Sequence, residues 1–424
     1  MTEGTWLNKD ELLEAIDAKL DQLNTVELIE PERIHPVAIM TRERRQLGEL
    51  EKELLQALEE IKSDERVPGI VTRLANVHLL EATFGRAIVL YELTLGLDSK
   101  QVSAWINMGL AYLMVSSPRE AISCLGSALA INQRNALALV YLAMGQLKLE
   151  EFEEANKNLD RAISVDSNMA RALLGKGEYF RAKGELDVAV TWFRRALSMD
   201  PNFVPALMEL GSVYLAIKKY DEAIEVLTKS LAIDPEQAYA LSTMGDVYVA
   251  QHDLESALYF YDKAVSIKFD DPELWIKKGD IHKSLKSYQQ ASNAYQKAIN
   301  SNPEHVESWV KNGAVMLLLD DEGTALEYLN TALALEPKNA DVAHQRGLIY
   351  YSLERHEEAL DDFDAAFAVD PGNPMHLYYR ALLLEILNRI DEAKRTWQVA
   401  LSLFKEAGDE MKVAECSARL KRLG

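Results

Sequence analysis

The sequence predicts an all-α solenoid, a stack of helical hairpins, on three observations. Alanine stands every 34 residues at Ala87, Ala121, Ala155, Ala189, Ala223, Ala257, Ala291, Ala325, Ala359 and Ala393. Two more columns of mostly small residues keep the same interval. One runs Ala75, Gly109, Ala143, Gly177, Gly211, Gly245, Gly279, Gly313, Gly347 and Ala381, and the other runs from Ala128 to Ala400 and is broken at its first member by Thr94. Each interval also holds two windows with apolar residues at i, i+3, i+4 and i+7, the spacing of an amphipathic helix.

The windows are joined by short polar turns such as Lys183-Gly184-Glu185 and Lys218-Lys219-Tyr220-Asp221. Connections this brief make the two helices antiparallel neighbours. Small side chains at the crossings let the backbones approach, and bulky ones fill the remaining volume. The bulky set comprises Trp105, Leu139, Leu173, Leu207, Leu241, Trp275 and Trp309 in first helices, and Tyr91, Phe193, Tyr261, Tyr295, Phe363 and Trp397 in second helices. Intervals close at Asp200-Pro201, Asp234-Pro235, Asn302-Pro303, Glu336-Pro337 and Asp370-Pro371. Proline disfavours a helical residue before it, so each pair ends one hairpin and re-aims the next.

The 424 residues carry 46 Lys plus Arg against 67 Asp plus Glu, a net charge of −21. Such a surface repels phosphate backbones and anionic headgroups, so nucleic acid is not an expected partner. No apolar run reaches the roughly 18 residues needed to insert in a membrane. The cysteines, Cys124 and Cys416, are too few and too far apart for a disulfide framework. The expectation is a cytoplasmic protein.

In interval, in length and in the order W/L, G/A, Y, A, F/Y, A, P, the chain resembles the tetratricopeptide repeat (TPR) family. Ten repeats fit residues 68–407, the clearest being 170–203, 204–237, 238–271 and 272–305. The resemblance implies a right-handed superhelix that binds other proteins or peptides in a concave groove lined by first helices, at the second, fifth, ninth and twelfth residues of each repeat. In the clearest repeats these are Arg171, Leu174, Glu178 and Arg181; Pro205, Met208, Ser212 and Leu215; Tyr239, Ser242, Asp246 and Val249; and Glu273, Ile276, Asp280 and Lys283. A family subset clamps acidic chaperone tails with a set of lysines, asparagines and an arginine. Asn76 and Asn107 fit that set, but Thr72, Leu137 and Tyr141 replace its cations, which argues against a chaperone-tail receptor.

Residues 1–67 fall outside the register, because Glu53 stands where the alanine column requires a small residue. An N-cap box at Asn8 and Glu11 opens a helix through Leu12, Ile16, Leu20 and Leu23, and a second helix spans about Thr41 to Ile61. The leading reading is a cap on the first repeat. Homodimerisation and docking into the protein's own groove are the rivals. Residues 408–424 read as a solvating C-terminal helix with Met411, Ala414, Ala418 and Leu420 on its apolar side.

No catalytic, metal or cofactor motif is legible. His356-Glu357 begins like a zinc-protease motif, but Leu360 stands where the second histidine belongs, and Gly175-Lys176-Gly177 lacks a third glycine. Lys277, Lys278, Lys283, Lys286 and Lys297 form a local charge reversal, read first as a solvated face. The sharper reading is an acidic-peptide contact through Lys283, Lys277 and Lys311, modulated by His282. Glu357, Glu358, Asp361, Asp362 and Asp364 should face solvent on a second helix, and the recurring tryptophans should be core. The expected function is a non-catalytic scaffold or adaptor. The alternative is a regulatory or targeting subunit of an enzyme or of a translocation or secretion complex.

Overall fold

The computed structural model describes residues 66–424. The two expected N-terminal helices lie outside the described residues. The chain divides into two compact units, Met1–Asp234 and Pro235–Gly424. Among the described residues there are 21 helices and no strand, the all-α solenoid that the 34-residue interval predicts.

In the first unit the hairpins are α1 (Val67–Leu80) with α2 (Phe84–Leu97), α3 (Val102–Met114) with α4 (Pro118–Ile131), and α5 (Ala136–Lys148) with α6 (Phe152–Val165). Two more follow, α7 (Ala170–Ala182) with α8 (Leu186–Met199) and α9 (Val204–Ala216) with α10 (Tyr220–Ile233). The second unit begins with α11 (Ala238–Ala250) and α12 (Leu254–Ile267), α13 (Pro272–Ser284) and α14 (Tyr288–Ser301), and α15 (Val306–Leu318) and α16 (Glu322–Leu335). It ends with α17 (Ala340–Ser352) and α18 (His356–Val369), α19 (Pro374–Ile386) and α20 (Ile390–Glu406), and the single helix α21 (Glu410–Leu423).

Each hairpin closes on the small columns. The ten column alanines from Ala87 to Ala393 are fully buried. Opposite the second column stand Tyr91, Phe193, Tyr295, Phe363 and Trp397, all at 0 % exposure. The tryptophans of the first helices have a polar role as well. Trp105, Trp275 and Trp309 donate their indole N–H to the carbonyls of Ser99, Phe269 and Pro303 at 2.9, 2.8 and 2.9 Å. Trp275 is buried, and Trp105 and Trp309 are half-buried.

The turn inside each hairpin is a single left-handed residue. Ala82, Ser116, Glu150, Lys218, His252, Lys286, Asp320, Glu354 and Asn388 have φ between 58° and 62°, and Gly184, their counterpart in the fourth repeat, has φ 78°. Around each, a 6→1 bond closes the helix end, as from Glu185 N–H to the Phe180 carbonyl or Asp253 N–H to the Tyr248 carbonyl, both 2.9 Å. This is a Schellman-type stop, and nine of its ten left-handed positions carry a side chain that opposes the conformation.

At the joints between repeats, the residue before proline is extended as expected: Asp200 has φ −132° and ψ 99°. The same geometry appears without proline at Asp98, Asn132 and Asp166. What these joints share is an Asx turn, in which the side chain accepts the backbone N–H two residues on, at Asp98, Asn132, Asp166, Asp200, Asn302 and Asp370. The side chain sets the corner, and proline reinforces it where present.

The C-terminal helix corrects the sequence reading of its buried side. Met411 is 76 % exposed, and Ala414 and Ala418 are exposed as well. Cys416 is fully buried, with Val413, Leu420 and Leu423 packed against the same cluster. That face keeps the i, i+3, i+7, i+10 spacing from Val413, and Tyr378 anchors it by donating to Glu415 at 2.6 Å.

Two opposite effects on stability follow from the left-handed corner. Glu354→Gly should raise the free energy of unfolding by up to ~1 kcal/mol, and Gly184→Ala should lower it by ~1 kcal/mol. Urea unfolding of the two variants checks this, and shifts of the same sign would contradict it.

Candidate functional site

The expected binding residues lie on first helices, and the structure separates those the core uses from those it leaves accessible. Arg171 is 6 % exposed, with its guanidinium 5.5 Å from the centre of the Phe203 ring. Ser242 and Ile276 are buried. Glu178, Met208, Ser212, Asp246, Asp280 and Lys311 are half-buried, and Arg181, Tyr239, Glu273 and Lys283 are exposed, Tyr239 by 49 %. Arg181 pairs at 3.1 Å with Glu209, a carboxyl that the sequence reading missed. Burial raises the Glu209 pKa, and Arg181 partly offsets that rise.

In the second unit a polar ladder links successive first helices. Asp246 pairs with Lys277 at 2.7 Å and accepts the Tyr261 hydroxyl at 2.6 Å, while Ser242 accepts from the same Lys277 ammonium at 3.1 Å. One repeat later, Asp280 pairs with Lys311 at 2.8 Å and accepts the Tyr295 hydroxyl at 2.6 Å. Burial beside these carboxylates raises the pKa of both tyrosines, which therefore act as donors throughout the physiological range. An uncharged version occurs in the first unit. There Asn76 accepts from Tyr91 at 2.6 Å and from Asn107 at 2.9 Å, which places both asparagines inside the packing.

A second ladder ties second helices to the following first helix across 16 positions: Asp160 to Lys176 at 2.6 Å, Asp262 to Lys278 at 2.5 Å, and Asp364 to Arg380. These pairs alter two expectations. Within the lysine-rich stretch Lys277 and Lys278 each sit on a carboxylate of this chain, as does Lys311 in the next repeat. Lys283 is exposed and has no ion-pair partner among the described residues. The acidic helix α18 is also not wholly solvated. Asp362 is only 3 % exposed and binds Arg346 through both oxygens, at 2.8 and 2.5 Å.

His282 stands apart from the row of first-helix positions. It lines a cavity of about 150 Å³ between α13 and α14 with Trp275, Lys278, Asn293 and Lys297. Burial lowers its pKa, and Lys278 lowers it further, which moves its titration away from neutrality. Glu273, His305 and Glu307 bring ligand-type atoms within 4.8 Å of one another. The imidazole is already engaged by Glu273 at 3.0 Å and Ser308 at 2.9 Å, and Glu307 by Lys311 at 3.4 Å. Sequence spacing missed this group because Glu273 and His305 stand 32 residues apart, at the two ends of one repeat, and Glu307 opens the next.

A histidine pair links α17 to α19. The Nδ1 atoms of His344 and His376 are 2.9 Å apart, so a single proton is shared between them. Desolvation lowers both pKa values. The charge of His376 lowers His344 further, while Asp341 opposes the shift at both and Asp370 at His376. A histidine lowered in the folded state contributes fully above the unfolded value of about 6.5, and the contribution is lost as pH falls through it. The drop in thermal midpoint between about pH 7.5 and 5.5 should therefore be smaller in His376→Gln than in the parent. Equal drops would contradict the role assigned to the pair.

Comparison with known proteins bears on fold and family. Tetratricopeptide repeat family models match residues 142–203, 204–268, 272–305 and 344–401. No curated protein matches the chain. A solved tetratricopeptide repeat protein from Parabacteroides merdae is 17% identical, with TM-score 0.51, covering 63% of this chain and 97% of its own. MamA is 27% identical with TM-score 0.36, over 39% of this chain and 96% of its own. YrrB, described as a TPR protein with an unusual peptide-binding site, is 21% identical with TM-score 0.37, over 44% and 97%. Among the described residues no helix is long and apolar enough to cross a membrane.

Proposed function

Because the chain belongs to the tetratricopeptide repeat family, whose fold supports protein–protein interaction scaffolds, we propose that it is a non-catalytic adaptor holding segments of partner proteins on its first helices. One observation carries the reading. Tyr239, Glu273 and Lys283 project from the first helices of the second unit without serving the core, beside carboxylates and lysines held in place by the ladder. Hairpin packing does not require an aromatic ring 49 % exposed at such a position. An exposed tyrosine offers a partner a large contact at low entropic cost.

The ladder also favours one kind of partner. Its charges are already matched within the chain, so the surface offers alternating apolar and paired polar groups, and a purely acidic tail gains little from it. A peptide or helix with mixed apolar and charged side chains fits better. A cytoplasmic setting agrees with two free, buried cysteines. The second reading, a regulatory or targeting subunit, uses the same surface but requires a single stoichiometric enzyme or machine as partner.

Crosslinking with mass spectrometry from native extract identifies partners, after which variants test the surface. Tyr239→Ala with Lys283→Glu should weaken binding by about tenfold or more, as loss of an aromatic anchor does. Glu357→Lys with Asp361→Lys, on a second helix, should leave binding within about twofold. Equal losses, or crosslinks confined to second helices, would refute the assignment.

A further inference from the structure

The twenty-third residue of a repeat stands on the second helix and reaches back to the first helix of its own hairpin. In repeats 136–169 and 340–373 the link is polar. Asn158 donates to Gln146 at 2.9 Å, and Asp362 accepts from Arg346 at 2.8 and 2.5 Å. In three other repeats a ring meets a ring: Trp192 stacks on Phe180 with centres 6.4 Å apart, Phe260 stacks on Tyr248 at 5.4 Å, and Tyr328 meets Trp309 at 5.6 Å. Repeat 272–305 has Ala294 there, the smallest of the ten residues at this position. A methyl group reaches none of these partners. The cavity of about 150 Å³ lies where the rings lie in those repeats, lined by Trp275, the counterpart of Trp309, and by His282, the counterpart of Phe180 and Tyr248.

The geometry points to a binding site in this cavity for an aromatic ring that bears one negative charge, inserted between α13 and α14 where other repeats place a ring of their own. Size fits, since a cavity of this volume accommodates a benzene ring. Lining fits as well, since Trp275 and His282 supply planar groups for a ring to pack on. Gln290, Asn293 and Lys297 line the cavity and are exposed, so it opens to the surface along α14.

The charge follows from the two lysines. Lys278, 5.5 Å from the centre of the Trp275 ring, is already paired with Asp262. Lys297 is 4.5 Å from the same ring and has no ion-pair partner among the described residues. One ammonium is therefore left unneutralised at the cavity wall of a chain with net charge −21, and a single carboxylate matches it through charge-assisted hydrogen bonds. The carboxamides of Gln290 and Asn293 add donors at the mouth. Two sources share this chemistry, a free aromatic acid and an aromatic residue beside an acidic one in a partner protein. The site stands apart from the first-helix row assigned to the adaptor surface, so it does not rest on that reading.

Fluorine NMR of the full chain labelled with 5-fluorotryptophan tests this, with the Trp275 resonance identified as the one lost in Trp275→Phe. Benzoate should shift that resonance saturably, and acetate at the same concentrations should not. Ala294→Phe, which places in the cavity a side chain that Phe260 already shows to fit this position, should abolish the benzoate response while leaving the melting midpoint no lower than the parent's, because it fills a void. Lys297→Met should weaken benzoate by about threefold or more and leave benzyl alcohol, the uncharged ring, unchanged. The peptide acetyl-Asp-Phe-amide carries the same ring and charge. Tighter binding than benzoate assigns the site to a partner's side chain, and weaker binding assigns it to a free acid. Three results overturn the inference: no saturable shift with benzoate or the peptide, an equal response to acetate, which would mean an anion held by the lysines alone, or a benzoate response that survives in Ala294→Phe.

Discussion

The fold depends on one close approach, the crossing of the two helices in each hairpin. At Gly211, Gly245 and Gly279 an added Cβ would lie 2.6, 2.6 and 2.5 Å from Leu227, Tyr261 and Tyr295, nearer than any real Cβ contact. The helices are therefore as close as a missing methyl allows, and the large residue opposite covers the bare backbone. A small residue holds that crossing in every repeat, glycine in seven and alanine in three, so the chain is built from near-equivalent units whose stability comes from themselves and their immediate neighbours. A structure of this kind has no single centre, and few of its core residues are left over for a convergent reactive site.

Polar links complement the apolar crossing. Asp246–Lys277 and Asp280–Lys311 join first helices, and Asp160–Lys176, Asp262–Lys278 and Asp364–Arg380 join a second helix to the first helix of the next repeat. Most of these pairs are half-exposed, and each contributes little to stability alone. Their larger consequence is orientation. A lysine held by a carboxylate and a tyrosine hydroxyl presents a fixed pattern to whatever lies on the surface, and preorganised groups lose less entropy on binding.

The fold was legible because its signal is repeated ten times: the small-residue columns set the register, and the two amphipathic windows joined by a short turn in each interval set the hairpin pairing. The sites were less legible, for identifiable reasons. Lys277 and Lys311 read as free cations because their partners, Asp246 and Asp280, stand 31 residues away in the preceding repeat, a spacing visible only once the register is applied to charged residues. Asp362 read as solvent-facing because its helix carries five acids, and only the packing of Arg346 against it shows that it is buried. The left-handed corners were hidden because a glycine stands at only one of the ten, Gly184; the other nine are imposed by the tertiary requirement to reverse direction in few residues. On α21, Met411 misled because hydrophobicity alone cannot distinguish a buried face from an exposed apolar residue beside it.

A double-mutant cycle at Gly177 and Phe193 tests the close approach most directly. An added Cβ at Gly177 would fall against the Phe193 ring, whereas the third repeat already combines Ala143 with Leu159 at the same two positions, both fully buried. Gly177→Ala and Phe193→Leu should each destabilise the protein, and the double variant should recover at least ~1 kcal/mol relative to the sum. Strictly additive losses in urea unfolding would show that the two side chains do not share one space, and the packing account of the 34-residue interval would fail.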